Sequence, residues 1–173
     1  MKSKLLALTI ALSLSTVFAV AAHAQSLNDH QIAEIMEEAN EAEIDAAKLA
    51  KDDAKNGEVK EFAKHMIEQH KMNEKDMKKI VKKNDIDGEK SEMSKALEAD
   101  AKEKRKMLKK QKDMAFDKMY MEQQVAMHTQ LLNDLDQKFI PAAQKPEFKA
   151  HLQATRDHVS KHLETAKSIQ AKL

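Results

Sequence analysis

Two glycines and two prolines are all that the 173-residue chain contains. Each of the four sits at a break in an otherwise helix-forming sequence. Gly57 follows Asn56, Gly88 ends the run from Asn84 to Asp87, and Pro141 and Pro146 bracket a short connection. Between the breaks Ala, Lys, Glu, Met, Gln and Leu dominate, all good helix formers. Apolar positions recur every three or four residues, the spacing of one helix face. So few turn residues exclude the frequent reversals of a β fold. The expectation is an all-α protein built as an up-and-down four-helix bundle.

The first 24 residues read as a leader. Lys2 and Lys4 precede an apolar run from Leu5 to Val20, and Ala22-His23-Ala24 has the small-x-small pattern of a cleavage site. Cleavage after Ala24 is expected, leaving residues 25–173 as one domain. The apolar run is short for a bilayer span of about 20 residues. The chain has 30 bases and 29 acids. Loss of the two leader lysines moves the formal net charge from +1 to −1, which removes any basic bias toward nucleic acid. No cysteine is present, so disulfides, thiolate catalysis and thiolate metal sites are excluded. An exported chain of this kind is expected in the periplasm.

Asn28 or Asp29 caps a first helix reaching about Ala54, with Ile32, Ile35, Met36, Ala39, Ala42, Ala46 and Leu49 on its stripe. Asn56-Gly57 is a stop signal, with Gly57 free to take a positive φ. A second helix spans about Glu58 to Lys83, with Val59, Phe62, Ala63, Met66, Asn73, Met77 and Ile80 inward. The Asn84–Gly88 loop fails as a calcium loop, because Lys83 and Ser94 fall at the first and last ligand positions. It reads as a turn. A basic, polar helix from about Ser91 to Lys110 serves as a crossover. Asp113 is expected to cap a helix to about Phe139, with Phe116, Tyr120, Met127, Leu131 and Leu135 on its stripe. The last helix runs from Pro146 to about Ala171.

Each of the four long helices places an ionisable side chain near the middle of its apolar stripe: Glu43, His70, His128 and His162. Counted from the nearest turn, at ~1.5 Å per residue, they fall at similar heights of roughly 20–24 Å. Three imidazoles and one carboxylate meeting in one layer suit zinc, copper or iron. Tyr120, Gln124 and His158 are candidate supporting or accessory residues. His158 stands one turn before His162, a spacing at which two imidazoles share an ion. Met66 and Met121 add thioethers on neighbouring turns, a donor type that favours Cu(I), although core filling is the ordinary role of Met. A hydrogen-bonded Glu–His network holding the bundle is the bland alternative. Glu-x-x-His occurs nowhere in the chain. Di-iron oxidase chemistry of the ferritin type, which needs that motif on two helices, is therefore not expected. No catalytic residue is assigned.

Ala42-Glu43 with Leu49-Ala50, the run from Val59 to His70 with Asn73, Phe116 to Tyr120 with His128, and His162 to Ala166 together resemble a bacterial family, domain of unknown function 4142. The resemblance covers about Leu27 to Ala171. It implies a ferritin-like fold, export and no established activity. It matches the family's recurring positions to Glu43, His70, Asp117, Tyr120, His128 and His162. Gln69 stands where the family usually has Asp, so an acid beside His70 is missing here. The function expected is a periplasmic bundle that binds a transition metal for storage, buffering or stress protection. The alternative is a structural or interaction protein without catalysis.

Overall fold

The computed structural model describes residues 27–173, so the expected leader, residues 1–24, lies outside the described residues. Five helices carry the fold: α1 (Asp29–Asp53), α2 (Gly57–Lys83), α3 (Glu92–Leu108), α4 (Asp113–Asp134) and α5 (Pro146–Gln170). No strand occurs among the described residues. None of these helices is long and apolar enough to cross a membrane.

α1 and α2 form one antiparallel hairpin, and α4 and α5 form the other. The hairpins meet through α2 against α5 and α1 against α4. α3 starts beside the N-terminal end of α1, where Glu89 N–H donates to the His30 carbonyl at 3.2 Å. It then follows α1 along its length, as the Arg105–Asp45 ion pair shows near the far end. The crossover therefore returns the chain to the starting end of the α2 direction, so α2 and α4 run parallel. One long crossover between two hairpins is the connectivity of ferritin-like bundles.

Local chemistry sets the helix ends. Asn28 caps α1, accepting from Gln31 N–H while the Gln31 side chain returns to the Asn28 N–H. This is a capping box, which satisfies two otherwise unpaired donors. Asp29 is the first residue inside the helix. Asn56 caps α2 by accepting from Glu58 N–H at 2.8 Å and Val59 N–H at 3.3 Å. Gly57 does not take the expected positive φ; no described glycine does. The reason is that Asn56 starts α2 directly, which puts Gly57 in its first turn. Asp113 does not cap α4. It is the first helical residue, at φ 52°, and Lys112 before it makes no side-chain cap bond.

The α4 helix also runs on past its expected end. Leu135–Phe139 forms a π-helical turn and Ile140–Ala142 a further α turn. Pro141 has no N–H and its ring strikes the carbonyl four residues back. The widened turn covers that carbonyl's residue, Gln137, and relieves the clash.

The core is two apolar halves with a polar layer between them. At the α4–α5 turn end lie Ile32, Ile35, Met36, Leu135, Phe139, Phe148 and Leu152. At the α1–α2 turn end lie Ala47, Ala50, Val59, Phe62, Met66, Phe116, Tyr120 and Met121. Burying each large side chain contributes about 1.5–3 kcal/mol. Two stripe expectations shift. Ala42, Ala46 and Leu49 are half-buried while Ala47 and Ala50 are buried, because α3 pulls the covered face of α1 around. Met127 is half-buried, lining a cavity between α1, α3 and α4.

Two aspartates tie the hairpins together. Asp117, on α4, is fully buried. It accepts from the backbone N–H groups of Lys55 (3.0 Å) and Asn56 (2.7 Å) in the α1–α2 turn. Asp29, on α1, accepts from those of Gln144 (2.8 Å) and Lys145 (2.9 Å) in the α4–α5 turn. Each hairpin's first helix thus clamps the other hairpin's turn through part-buried backbone donors.

Candidate metal centre

His70 from α2, His128 from α4 and His162 from α5 converge in the polar layer. One ring nitrogen from each lies within 4.8 Å of the others. The ring centroids are 5.5 Å apart for His128–His162, 5.6 Å for His70–His162 and 6.2 Å for His70–His128. All three are buried, at 1% to 6% exposure. They stay neutral. Desolvation, then the neighbouring His128 and His162, push His70 well below the usual imidazole range. Desolvation, then His128, His65 and His158, lower His162 to about 3.

Neighbours fix two of the tautomers. The Nδ1–H of His128 donates to the Gln124 carbonyl at 2.9 Å. The Nδ1–H of His70 donates to Asn40 Oδ1 at 2.8 Å. A neutral imidazole carries one N–H, so both Nε2 atoms keep a bare lone pair. Neither Nε2 has a hydrogen-bond partner, and neither does the buried Nδ1 of His162. An ion at ~2.0–2.1 Å from each of three nitrogens in tetrahedral array needs donors ~3.3 Å apart.

Glu43 is buried in the same layer but behind His128. Its Oε1 is 3.8 Å from His128 Nδ1, the edge that already faces the Gln124 carbonyl. Its Oε2 accepts from Gln124 Nε2 at 2.7 Å. The group of mutually close donors contains the three histidines without it. The Gln124 carbonyl holds the ring of His128, and the Glu43 carboxylate, with its Oε1 unpaired, adds a negative charge behind that ring.

The other candidates separate. Tyr120 is fully buried, and desolvation together with Glu43 pushes its phenol well above the usual range. Its hydroxyl has no partner. Met66 and Met121 lie in the apolar half next to the α1–α2 turn, which is core filling. His158 is exposed and lines a cleft that also touches His70 and His162.

Three residues had not been marked for this site. Asn40 orients His70 and also accepts from Asn73 Nδ2 at 3.2 Å. Its signal was an amide inside the α1 stripe beside Ala39. Asn40 does from α1 what an acid next to His70 in sequence would do, so Gln69 leaves no gap. Thr155 extends the chain by donating to Asn73 Oδ1 at 2.9 Å. His65 meets His162 edge-on at 5.8 Å, and only the α2–α5 packing brings them together.

Fold and layer define a class: a four-helix bundle with one helical crossover and a buried histidine triad at mid-height. Within that class the chain belongs to the family described as domain of unknown function DUF4142, whose model matches residues 15–169. No curated protein and no solved structure matches it.

Proposed function

We propose that this protein is an exported, periplasmic bundle that holds one transition-metal ion on His70, His128 and His162, in storage, buffering or stress protection. The observation that carries the reading is three buried histidines that bring one ring nitrogen apiece within 4.8 Å of one another, each ring keeping a nitrogen without a hydrogen-bond partner. Burying a polar atom without a hydrogen bond costs about 1–3 kcal/mol. Three such atoms in one layer are costly as a scaffold and useful as a ligand set. All-nitrogen donors suit zinc, copper and iron. With the thioethers in the apolar core, the preference for Cu(I) over Zn²⁺ weakens.

Elemental analysis of protein purified from the periplasm tests the reading first. Mass spectrometry of the same material should place the N-terminus at Gln25. Thermal melts then test the ligand set, with chelator, with Zn²⁺, and with Cu⁺ under reducing anaerobic conditions. At a hundredfold excess over Kd, a ligand that binds only the folded state adds about 2.7 kcal/mol. His128→Ala should lose that increment and lose little in chelator. A wild type that none of these ions moves overturns the metal reading.

A second reading has its own observation. The chain Thr155–Asn73–Asn40–His70 ties α5, α2 and α1 together, as a structural network does. On that reading His70→Ala destabilises equally with and without metal.

A further inference from the structure

The two sides of the histidine layer differ. α3 covers the seam between α1 and α4. The opposite seam, between α2 and α5, is covered by no helix among the described residues and opens into a cleft of about 150 Å³. Its inner wall includes His70 and His162. Its outer wall includes His151, His158 and Asp76. Resting on the metal reading above, we propose that this cleft is the ion's route to the triad, with His158 and His151 as exchange ligands that pass a transition-metal cation inward.

Four points of placement support the route. His151, His158 and His162 follow one another along α5 at spacings of seven and four residues, which keeps them on one face. His158 is exposed while His162 is buried, so the series runs from solvent to core. The Nε2 of His151 is a buried donor atom with no partner. Asp76 lines the same cleft from α2; its Oδ1 pairs with Lys79 at 2.7 Å, and its carboxylate is the acidic group at the mouth where a cation arrives. The outer residues do not form a resident site, because the close donor group among the described residues is the inner triad. They are therefore stations rather than an endpoint. A cation moving inward exchanges water for His158 or His151, then exchanges that imidazole for His162 and His70, with no change of oxidation state.

A route differs from a site in a way that kinetics resolves. Stations that lie off the bound state speed arrival and departure alike and leave the equilibrium unchanged. The test measures transfer of Zn²⁺ from a colorimetric indicator to the protein by stopped flow. It also measures Zn²⁺ release into excess chelator and Kd by competition. The double variant His151→Gln, His158→Gln should slow loading and release by the same factor. Its Kd should stay at the wild-type value. Ala154→Trp, which plugs the exposed side of the cleft, should do the same without removing a ligand. Wild-type rates in both variants overturn the route. A Kd weakened as much as the loading rate overturns it too, since the histidines would then be resident ligands. A wild type that takes up no Zn²⁺ overturns the underlying metal reading itself, a result distinct from either.

Discussion

The carboxylate of Asp117, on α4, accepts the backbone N–H of Asn56, 61 residues earlier in the chain, at 2.7 Å. This one contact fixes where α4 enters the bundle relative to the α1–α2 turn. Asp29 makes the reciprocal contact with Lys145 at 2.9 Å.

Asp117→Ala should destabilise the protein by about 1–3 kcal/mol, because two part-buried N–H donors lose their fully buried acceptor. Asp29→Ala should have a smaller effect of the same sign, since water reaches its turn more readily. The clamps sit at opposite ends of the bundle, so the double variant should show the sum to within about 0.5 kcal/mol. Urea unfolding in chelator measures all three. Strong non-additivity would mean that the two ends are coupled through the core.

Glu43→Gln tests the support behind His128. The amide oxygen can still accept from Gln124, so the fold should change little. The negative charge beside the imidazole is lost. Metal affinity should fall about 10–100-fold, the usual effect of removing a partner behind a ligating histidine. Competition titration with Zn²⁺ measures it. An unchanged Kd would remove Glu43 from the functional layer.

The metal-free protein should be acid-sensitive in a defined window. His162 is lowered to about 3 and His70 is also held well below its usual value. Unfolded histidine titrates near 6.5. Between those values the unfolded chain binds protons that the folded chain does not. Stability is therefore full above pH ~6.5 and falls as pH drops toward 3. The slope approaches about 1.4 kcal/mol per pH unit for each such histidine. Denaturant midpoints across that range, in chelator, should flatten in His162→Gln. The same slope in wild type and variant would show that His162 is not held neutral.

Tyr120→Phe should be nearly neutral in chelator, because the hydroxyl it removes has no partner and the ring keeps its packing. A loss above about 1.5 kcal/mol in thermal melts would reveal a bond from that hydroxyl into the Glu43 side of the layer.

Helix content and boundaries were readable from residue order because they depend on local energies. Asn28, Asn56 and Ser91 cap where they stand in sequence, and glycine and proline are too scarce to break anything else. The inward placement of His70, His128 and His162 also followed from the 3.6-residue period, which is a property of one helix alone. Other features depended on which helix lies beside which. Glu43 shares the height of the three histidines, but height along an axis says nothing about direction across it. The packing of α1 on α4 turned its carboxylate toward Gln124 and the Nδ1 edge of His128. The role of Asp117 was invisible because its partners are backbone N–H groups, which every residue has and no motif records. The same holds for the open seam: sequence supplied a polar α3, but only its packing along α1 and α4 decided which side of the layer faces water. Local periodicity thus chose the residues of the layer, and long-range packing, which balances burial over the whole bundle, decided which of their nitrogens were left bare.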